Sequence, residues 1–287
     1  MAITIAASFQ KFKENIEITN PQKETVSTRQ QNVRKALEDD FNILDSFLTG
    51  SYARSTLVSP LNEVDIDIFI VLHPSYYDGT QPGVLLDRVR TALLKTYPTS
   101  PKISRNGQAV TITFTDFKVD VVPAFHRNGG GYLIPDSTNG TYISTNPKEH
   151  VEIMSSQNQL HNGDLVPLVK MIKAWNKNSD QAFVSFYLEL MAINIFSGVC
   201  INDYSSGMRL FFDKGREVIK YKIKDPVTYG GYINPLLNVT TVIAAVNAFE
   251  TAHVRAKNAE NYAINYYVAT AVGEWKKIFG DYFPAYG

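Results

Sequence analysis

Between Val64 and Ile70 the chain alternates strictly, with Asp65, Asp67 and Phe69 on one side and Ile66, Ile68 and Ile70 on the other. This pattern predicts a strand with one buried face. Upstream, Val26, Val33, Leu37 and Phe41 share a helical face over residues 23–41, which predicts a long amphipathic helix covering a sheet. The short apolar run 43–48 suits a strand ending at Gly50, a residue free to take positive φ. Ser51 would then open a short helix with its N–H groups exposed. Residues 74–83 are turn-rich, and Leu86, Val89, Leu93 and Tyr97 predict a helix over 84–97 that Pro98 closes. Residues 102–105 and 108–114, joined through Asn106-Gly107, predict a hairpin with type I′ turn chemistry. Thr115-Asp116 turns again into a strand over 117–122, whose only acid is Asp120. The stretch 127–145, with Gly129-Gly-Gly131, Pro135-Asp136 and Asn139-Gly140, has no usable period and predicts a long irregular connection. Loops of that length in compact proteins tend to carry function.

From Pro147 onward the apolar spacing becomes helical. Helices are expected over 147–160, 164–176, 183–200, 238–257 and 259–279, with a short strand over 218–223. Strands in one half and helices in the other predict an α+β architecture in two lobes. The first, residues 1–145, holds a mixed β-sheet with covering helices, an N-terminal one included. The second, 146–287, is mainly helical, and a cleft between them would hold the site. No internal repeat or low-complexity tract interrupts the pattern.

Composition narrows the function classes. Basic and acidic residues both number 28, so nothing global draws the chain to nucleic acid or to an anionic membrane. One cysteine, Cys200, excludes an internal disulfide or a Cys-rich zinc site, and its place after an apolar run reads as a buried small hydrophobe. The start Met-Ala-Ile-Thr-Ile-Ala-Ala-Ser lacks a basic n-region, and no apolar run approaches the ~18 residues of a membrane span, so a cytoplasmic protein is expected. His73, His126, His150, His161 and His253 show no ligand spacing.

Chemistry concentrates in the first half. Two carboxylates at i and i+2 on a strand aim at a common point, and divalent metal bound by oxygen ligands is what phosphoryl transfer needs. Asp65 and Asp67 meet that condition, and Asp120, between Val119 and Val121, is the candidate third ligand. An Asp-x-Asp by itself reads equally as two wet surface carboxylates. Here the strand is β-branched and apolar, Asp is disfavoured in strands, and a third Asp interrupts another such strand. With Gly50-Ser51 as a phosphate cradle upstream, the catalytic reading is the stronger.

This order, Gly-Ser, then Asp-x-Asp on a strand, then a lone Asp on a later strand, resembles the DNA polymerase β-like nucleotidyltransferases. Within them the chain looks most like the cGAS/DncV-like nucleotidyltransferases (CD-NTases) of bacterial CBASS antiphage systems. The matching stretches are Leu48-Thr-Gly-Ser-Tyr-Ala-Arg-Ser-Thr, Val64-Asp-Ile-Asp-Ile-Phe-Ile and Val119-Asp-Val-Val-Pro-Ala-Phe125. Further matches are Ile134-Pro-Asp, Thr145-Asn-Pro, Val169-Lys-Met-Ile-Lys-Ala-Trp-Asn176 and Lys224-Asp-Pro. The resemblance covers nearly the whole chain. It implies Gly50 and Ser51 on a donor triphosphate, and Asp65, Asp67 and Asp120 as catalytic ligands of two Mg²⁺ ions, with Mn²⁺ as a substitute. It also implies that Lys173 reaches the outer phosphates and that Ser185 assists, with Phe186 near the base. Tyr142 stands nearest to where the family usually carries Trp. The residues alone leave Lys170 and Lys173 open to being solvated helix positions, Ser185 to being a helix start, and Phe186 and Trp175 to being core.

The expected function is therefore a metal-dependent nucleotidyltransferase that joins nucleoside triphosphates into a cyclic di- or trinucleotide second messenger, releasing pyrophosphate, in antiphage signalling. Its partners would be the triphosphates and a product-activated effector protein, with neither nucleic acid nor membrane required. Alternatives are a linear oligonucleotide synthase, a transferase acting on RNA, a small molecule or a protein, and an inactive nucleotide-binding module.

Overall fold

The computed structural model describes residues 4–77, 79–98, 102–180, 182–236, 238–239 and 241–287. Residues 1–3 of the N-terminal octet, Asp78 of the expected 74–83 turns and Thr240 of the expected 238–257 helix lie outside the described residues. In order come α1 (Ile5–Asn15), α2 (Asn20–Glu38), β1 (Ile43–Leu48), α3 (Gly50–Ala53), β2 (Asp65–Leu72), α4 (Pro82–Thr96) and β3 (Lys102–Asn106). Then follow β4 (Ala109–Thr113), β5 (Lys118–His126), β6 (Tyr132–Asp136), β7 (Thr141–Thr145), α5 (Pro147–Leu160), α6 (Leu165–Asn178) and α7 (Ser185–Phe196). The chain continues through α8 (Tyr204–Val218), β8 (Ile223–Lys224), β9 (Tyr232–Ile233), α9 (Val242–Ile264) and α10 (Val268–Phe279).

Two compact units result. A sheet unit comprises Ile18–Ile153 with Pro226–Gly230, and a helical unit comprises Met1–Glu17, Met154–Asp225 and Gly231–Gly287. The expected division at 145/146 is corrected at three points, each with a physical cause. Helix α5 is continuous, so the change of unit falls within it. Helix α1 joins the helical unit because Phe9 packs edge-on against Trp275 at 4.9 Å and Phe12 lies 4.5 Å from Phe279, centroid to centroid. Residues 226–230 join the sheet unit because the Tyr229 hydroxyl donates to the Gly129 carbonyl (2.8 Å) and the Arg127 guanidinium stacks on the Tyr229 ring.

In the sheet unit the strands run β1-β2-β5-β4-β3, with β6 paired to β5 and β7 to β6. Only β2 and β5 are parallel; the other pairs are antiparallel. A parallel neighbour requires a crossover, here supplied by α4 and the β3–β4 hairpin. On one face Ile66, Ile68, Ile70, Val119 and Val121 pack against Val26, Val33 and Leu37 of α2 and Leu86, Val89 and Leu93 of α4. Helix α2 opens on a capping box in which Thr19 and Gln22 satisfy each other's backbone N–H groups.

The opposite face is buried as well. Phe69, Val71, Val122 and Ala124 form a second apolar cluster with Tyr132 and Ile134 of β6. The expectation of one buried face on β2 is thus corrected, since only its first residues meet solvent. The irregular connection expected over 127–145 is also corrected to a glycine turn followed by the β6–β7 hairpin. Tyr132-Leu-Ile-Pro-Asp hides its period because apolar residues occupy consecutive positions. In the β3–β4 hairpin Asn106 pairs with Ala109, so Gly107-Gln108 form the two-residue loop rather than Asn106-Gly107. Gly107 takes φ +46°, but Gln108 does not have positive φ, so the type I′ expectation is corrected.

The helical unit contains α8, which periodicity did not predict. Its buried Met208, Phe211 and Phe212 are flanked by the buried Gly207 and Gly215, and glycines mask the apolar stripe. Gly215 lets α9 come close: a Cβ there would lie 2.2 Å from Phe249 Cε1. Helix α7 stops at Phe196 and Gly198 takes φ +72°, which leaves Cys200 on an exposed loop and corrects its reading as buried. Trp175 is core, stacked on Phe183 at 5.5 Å. Among the described residues no helix is long and apolar enough to cross a membrane.

Gly215→Ala overpacks the α8–α9 contact and should cost about 1–3 kcal/mol. Gly273→Ala, in α10 where an added Cβ meets nothing within 4 Å, should instead stabilise by about 0.5–1 kcal/mol. Urea midpoints of the two variants should move in opposite directions.

Candidate active site

The site begins where β1 ends. The Thr49 N–H donates to the Asp67 carbonyl (2.9 Å), and the chain turns into α3 at Gly50, with φ +63°. A Cβ at position 50 would stand 1.8 Å from Asp67 Oδ2, so glycine is required both for the backbone angle and for the space. The Asp67 carboxylate therefore lies directly against Gly50. Ser51 follows in the same short helix, half-buried.

Strand register assembles the acids. Asp65 and Asp67 are the first and third residues of β2, on one face. Asp67 sits opposite Asp120 across the parallel β2–β5 pair, and Asp65 sits opposite Lys118, whose Nζ is 3.9 Å from Asp65 Oδ1. On the other side of β5, Thr111 of β4 pairs with Asp120. The Thr111 hydroxyl donates to Asp120 Oδ1 at 2.5 Å. Three carboxylates thus share one end and one face of two adjacent strands, next to the apolar cluster around Phe69 and Val122.

Electrostatics reflects that crowding. Burial pushes the Asp120 carboxyl above its ordinary value; the Thr111 hydrogen bond opposes this, the Asp65 charge reinforces it, and Lys118 counters in part. A divalent cation would relieve this like-charge repulsion, and hard carboxylate oxygens are the donors Mg²⁺ prefers. Among the described residues no three His, Cys, Asp or Glu side chains already form a cage around a single point. Such an open acidic face fits an ion held by one or two carboxylates together with substrate phosphates.

Lys173, Ser185 and Phe186 belong to the helical unit. Lys173 is not a wet surface lysine: its ammonium is bonded to Glu189 of α7 at 3.1 Å, with Lys173 9% and Glu189 0% exposed. Phosphate binding by Lys173 would thus require Glu189 to be exchanged for phosphate. Lys170 is likewise buried, on Glu17 at 2.7 Å. Ser185 is the exposed first residue of α7, and Phe186 is half-buried. Tyr142 packs edge-on against Tyr77 and Phe125 and donates to the Thr80 carbonyl, and burial pushes its hydroxyl up to about 12.

Two residues of the site and its surroundings, Thr111 and Glu189, escaped sequence reasoning. Glu189 carries a readable signal, as the lone charge in the otherwise uncharged helix Ser185–Phe196. Thr111 carries none, since threonine is ordinary in a strand and its partner is defined only by register.

Comparison with known proteins gives the family and the fold. A family profile described as "Second Messenger Oligonucleotide or Dinucleotide Synthetase domain" (SMODS) matches residues 3–158. The chain is similar to a cyclic AMP-AMP-AMP synthase of Acinetobacter sp., 27% identical, covering 98% of this chain and 86% of the relative. It is also similar to the CBASS oligonucleotide cyclase CdnC of Escherichia coli strain KTE188, 22% identical over 94% of this chain and 92% of the relative. The fold matches CdnC of E. coli MS115-1 in its HORMA-deltaN complex, with TM-score 0.75, 20% identity and 98% of each chain covered. The same protein with ATP gives TM-score 0.72 and 19% identity, covering 98% of this chain and 99% of that one.

Two outcomes follow from the buried charges. Because the folded chain holds a proton on Asp120 more tightly than the unfolded chain does, ionisation of Asp120 opposes folding as pH rises through and above its ordinary value of 3.8. Asp120→Asn should therefore melt higher than the parent at pH 7 without divalent metal, and the gain should shrink on acidification toward that value. Lys173→Ala, which removes the ammonium from the buried Glu189 carboxylate, should cost about 3–5 kcal/mol, whereas Lys173→Met with Glu189→Leu should cost much less in the same denaturation assay.

Proposed function

The chain belongs to the second messenger oligonucleotide or dinucleotide synthetase family of nucleotidyltransferases, and we propose that it joins nucleoside triphosphates, ATP among them, into a cyclic oligonucleotide. The observation that carries this reading is the β2–β5 register, which sets Asp67 opposite Asp120 with Asp65 on the same face. Gly50 supports it by leaving room for the Asp67 carboxylate beside the α3 turn. ATP is favoured because one relative is a cyclic AMP-AMP-AMP synthase and another binds ATP in its structure.

In this reading Asp65, Asp67 and Asp120 would hold two Mg²⁺ ions. The ions would supply charge neutralisation at the triphosphate and acidify the attacking hydroxyl. Gly50 and Ser51 present the α3 turn to the donor phosphates. Asp120 orients a ribose hydroxyl of the acceptor and draws off its proton. The hydroxyl oxygen bonds to the donor α-phosphorus while the bond to the β-phosphate oxygen breaks, and pyrophosphate leaves. A second such step within the linear product closes the ring. The cyclic product would activate an effector protein in antiphage defence, the setting of the CBASS relatives.

Purified protein incubated with the four triphosphates and Mg²⁺ or Mn²⁺ should release pyrophosphate and yield an adenosine-containing cyclic oligonucleotide by mass spectrometry. Asp65→Asn combined with Asp67→Asn should abolish both signals. Absence of pyrophosphate release with every nucleotide pair would refute the proposal, and a linear product alone would remove its cyclising step.

A further inference from the structure

The acidic face has a supporting residue on a third strand. Thr111 lies on β4, held in place by fully buried Val110 and Ile112, and is itself only 9% exposed. Antiparallel pairing puts it directly beside Asp120, and its hydroxyl donates to Oδ1 at 2.5 Å. That is the short range of a charge-assisted O–H···O⁻ bond. A threonine hydroxyl in a strand is restricted at χ1, so the donor is fixed in direction before the carboxylate meets it. One carboxylate oxygen is thus tied to β4, while the parallel pairing on the other side of β5 sets Asp120 opposite Asp67.

We infer that Thr111 is a positioning residue for nucleotidyl transfer, fixing the Asp120 carboxylate so that Oδ2 faces the ion and the acceptor hydroxyl. The inference rests on the role given to Asp120 above. Loss of the hydroxyl would free the carboxylate to rotate, and partners of this kind typically contribute 10–100-fold to metal affinity or rate. Substrate binding itself, which involves other groups, would be little changed. Thr111 thus belongs with the ligands functionally, although it touches neither metal nor nucleotide.

Thr111→Val keeps the shape and the β-branch while removing the donor, and Thr111→Ser keeps the donor. The expected result is a kcat for the Val variant lowered about 10–100-fold with KM for the triphosphate within about threefold of the parent, and both constants near parental in the Ser variant. Mn²⁺ binding, followed by electron paramagnetic resonance with a non-hydrolysable triphosphate analogue and no turnover, should weaken by a similar factor in the Val variant only. Thermal melting confirms that each variant is folded, and Thr111→Ala replaces Thr111→Val if the latter does not melt cooperatively. Parental kcat and Mn²⁺ affinity in a folded variant lacking the hydroxyl, or failure of Thr111→Ser to restore them, would overturn the inference. Asp120→Asn separates the two levels: if it stays active the role of Asp120 fails, whereas an inactive Asp120→Asn beside a fully active Thr111→Val refutes Thr111 alone.

Discussion

Everything at the acidic face depends on one strand register. A shift of β5 by one residue against β2 would turn Asp120 to the helix-covered side and bring Val119 or Val121 to the acids, because side chains alternate with period two. The register is secured by apolar packing on both sides of the sheet. Ile66, Ile68, Val119 and Val121 are held under α2 and α4, and Phe69, Val71, Val122 and Ala124 under β6. The hydrophobic effect thereby aligns three like charges that would otherwise separate.

The helical unit handles charge in the opposite way. There the Lys170 ammonium meets the partly exposed Glu17, and the Lys173 ammonium is withdrawn from solvent onto the buried Glu189. A buried pair contributes little net stability but is costly to break from one side, so activity lost in a lysine variant there reports folding unless stability is measured alongside. At the acidic face Asp65 stays open to solvent, with the Lys118 ammonium no nearer than 3.9 Å.

Much of the sheet unit was legible because period-two alternation is direct evidence of strand geometry. Asp65 and Asp67 could be placed on one face from spacing alone, and Asp120 on a later strand. Their meeting depends on which strands become neighbours, and periodicity carries no information on pairing. The β6–β7 hairpin was missed because both of its faces are partly apolar, and α8 because Gly207 and Gly215 stand where packing wants no side chain. Cys200 was misread because an apolar run does not announce where its helix ends; Gly198 does that. Thr111 is invisible until β4 and β5 are aligned.

Both units are assembled from discontinuous stretches, and this bears on how the chain is made. The Asn15 amide reaches the Tyr282 carbonyl, and Phe9 finds Trp275, across nearly the whole sequence. During synthesis α1 is made well before α10, which carries its aromatic partners Trp275 and Phe279. The sheet unit too lacks residues 226–230 until most of the helices have been translated. Contacts of such separation are slow to form and leave apolar surface exposed in the interval. The nascent α1 therefore keeps Phe9 and Phe12 uncovered until α10 has been made.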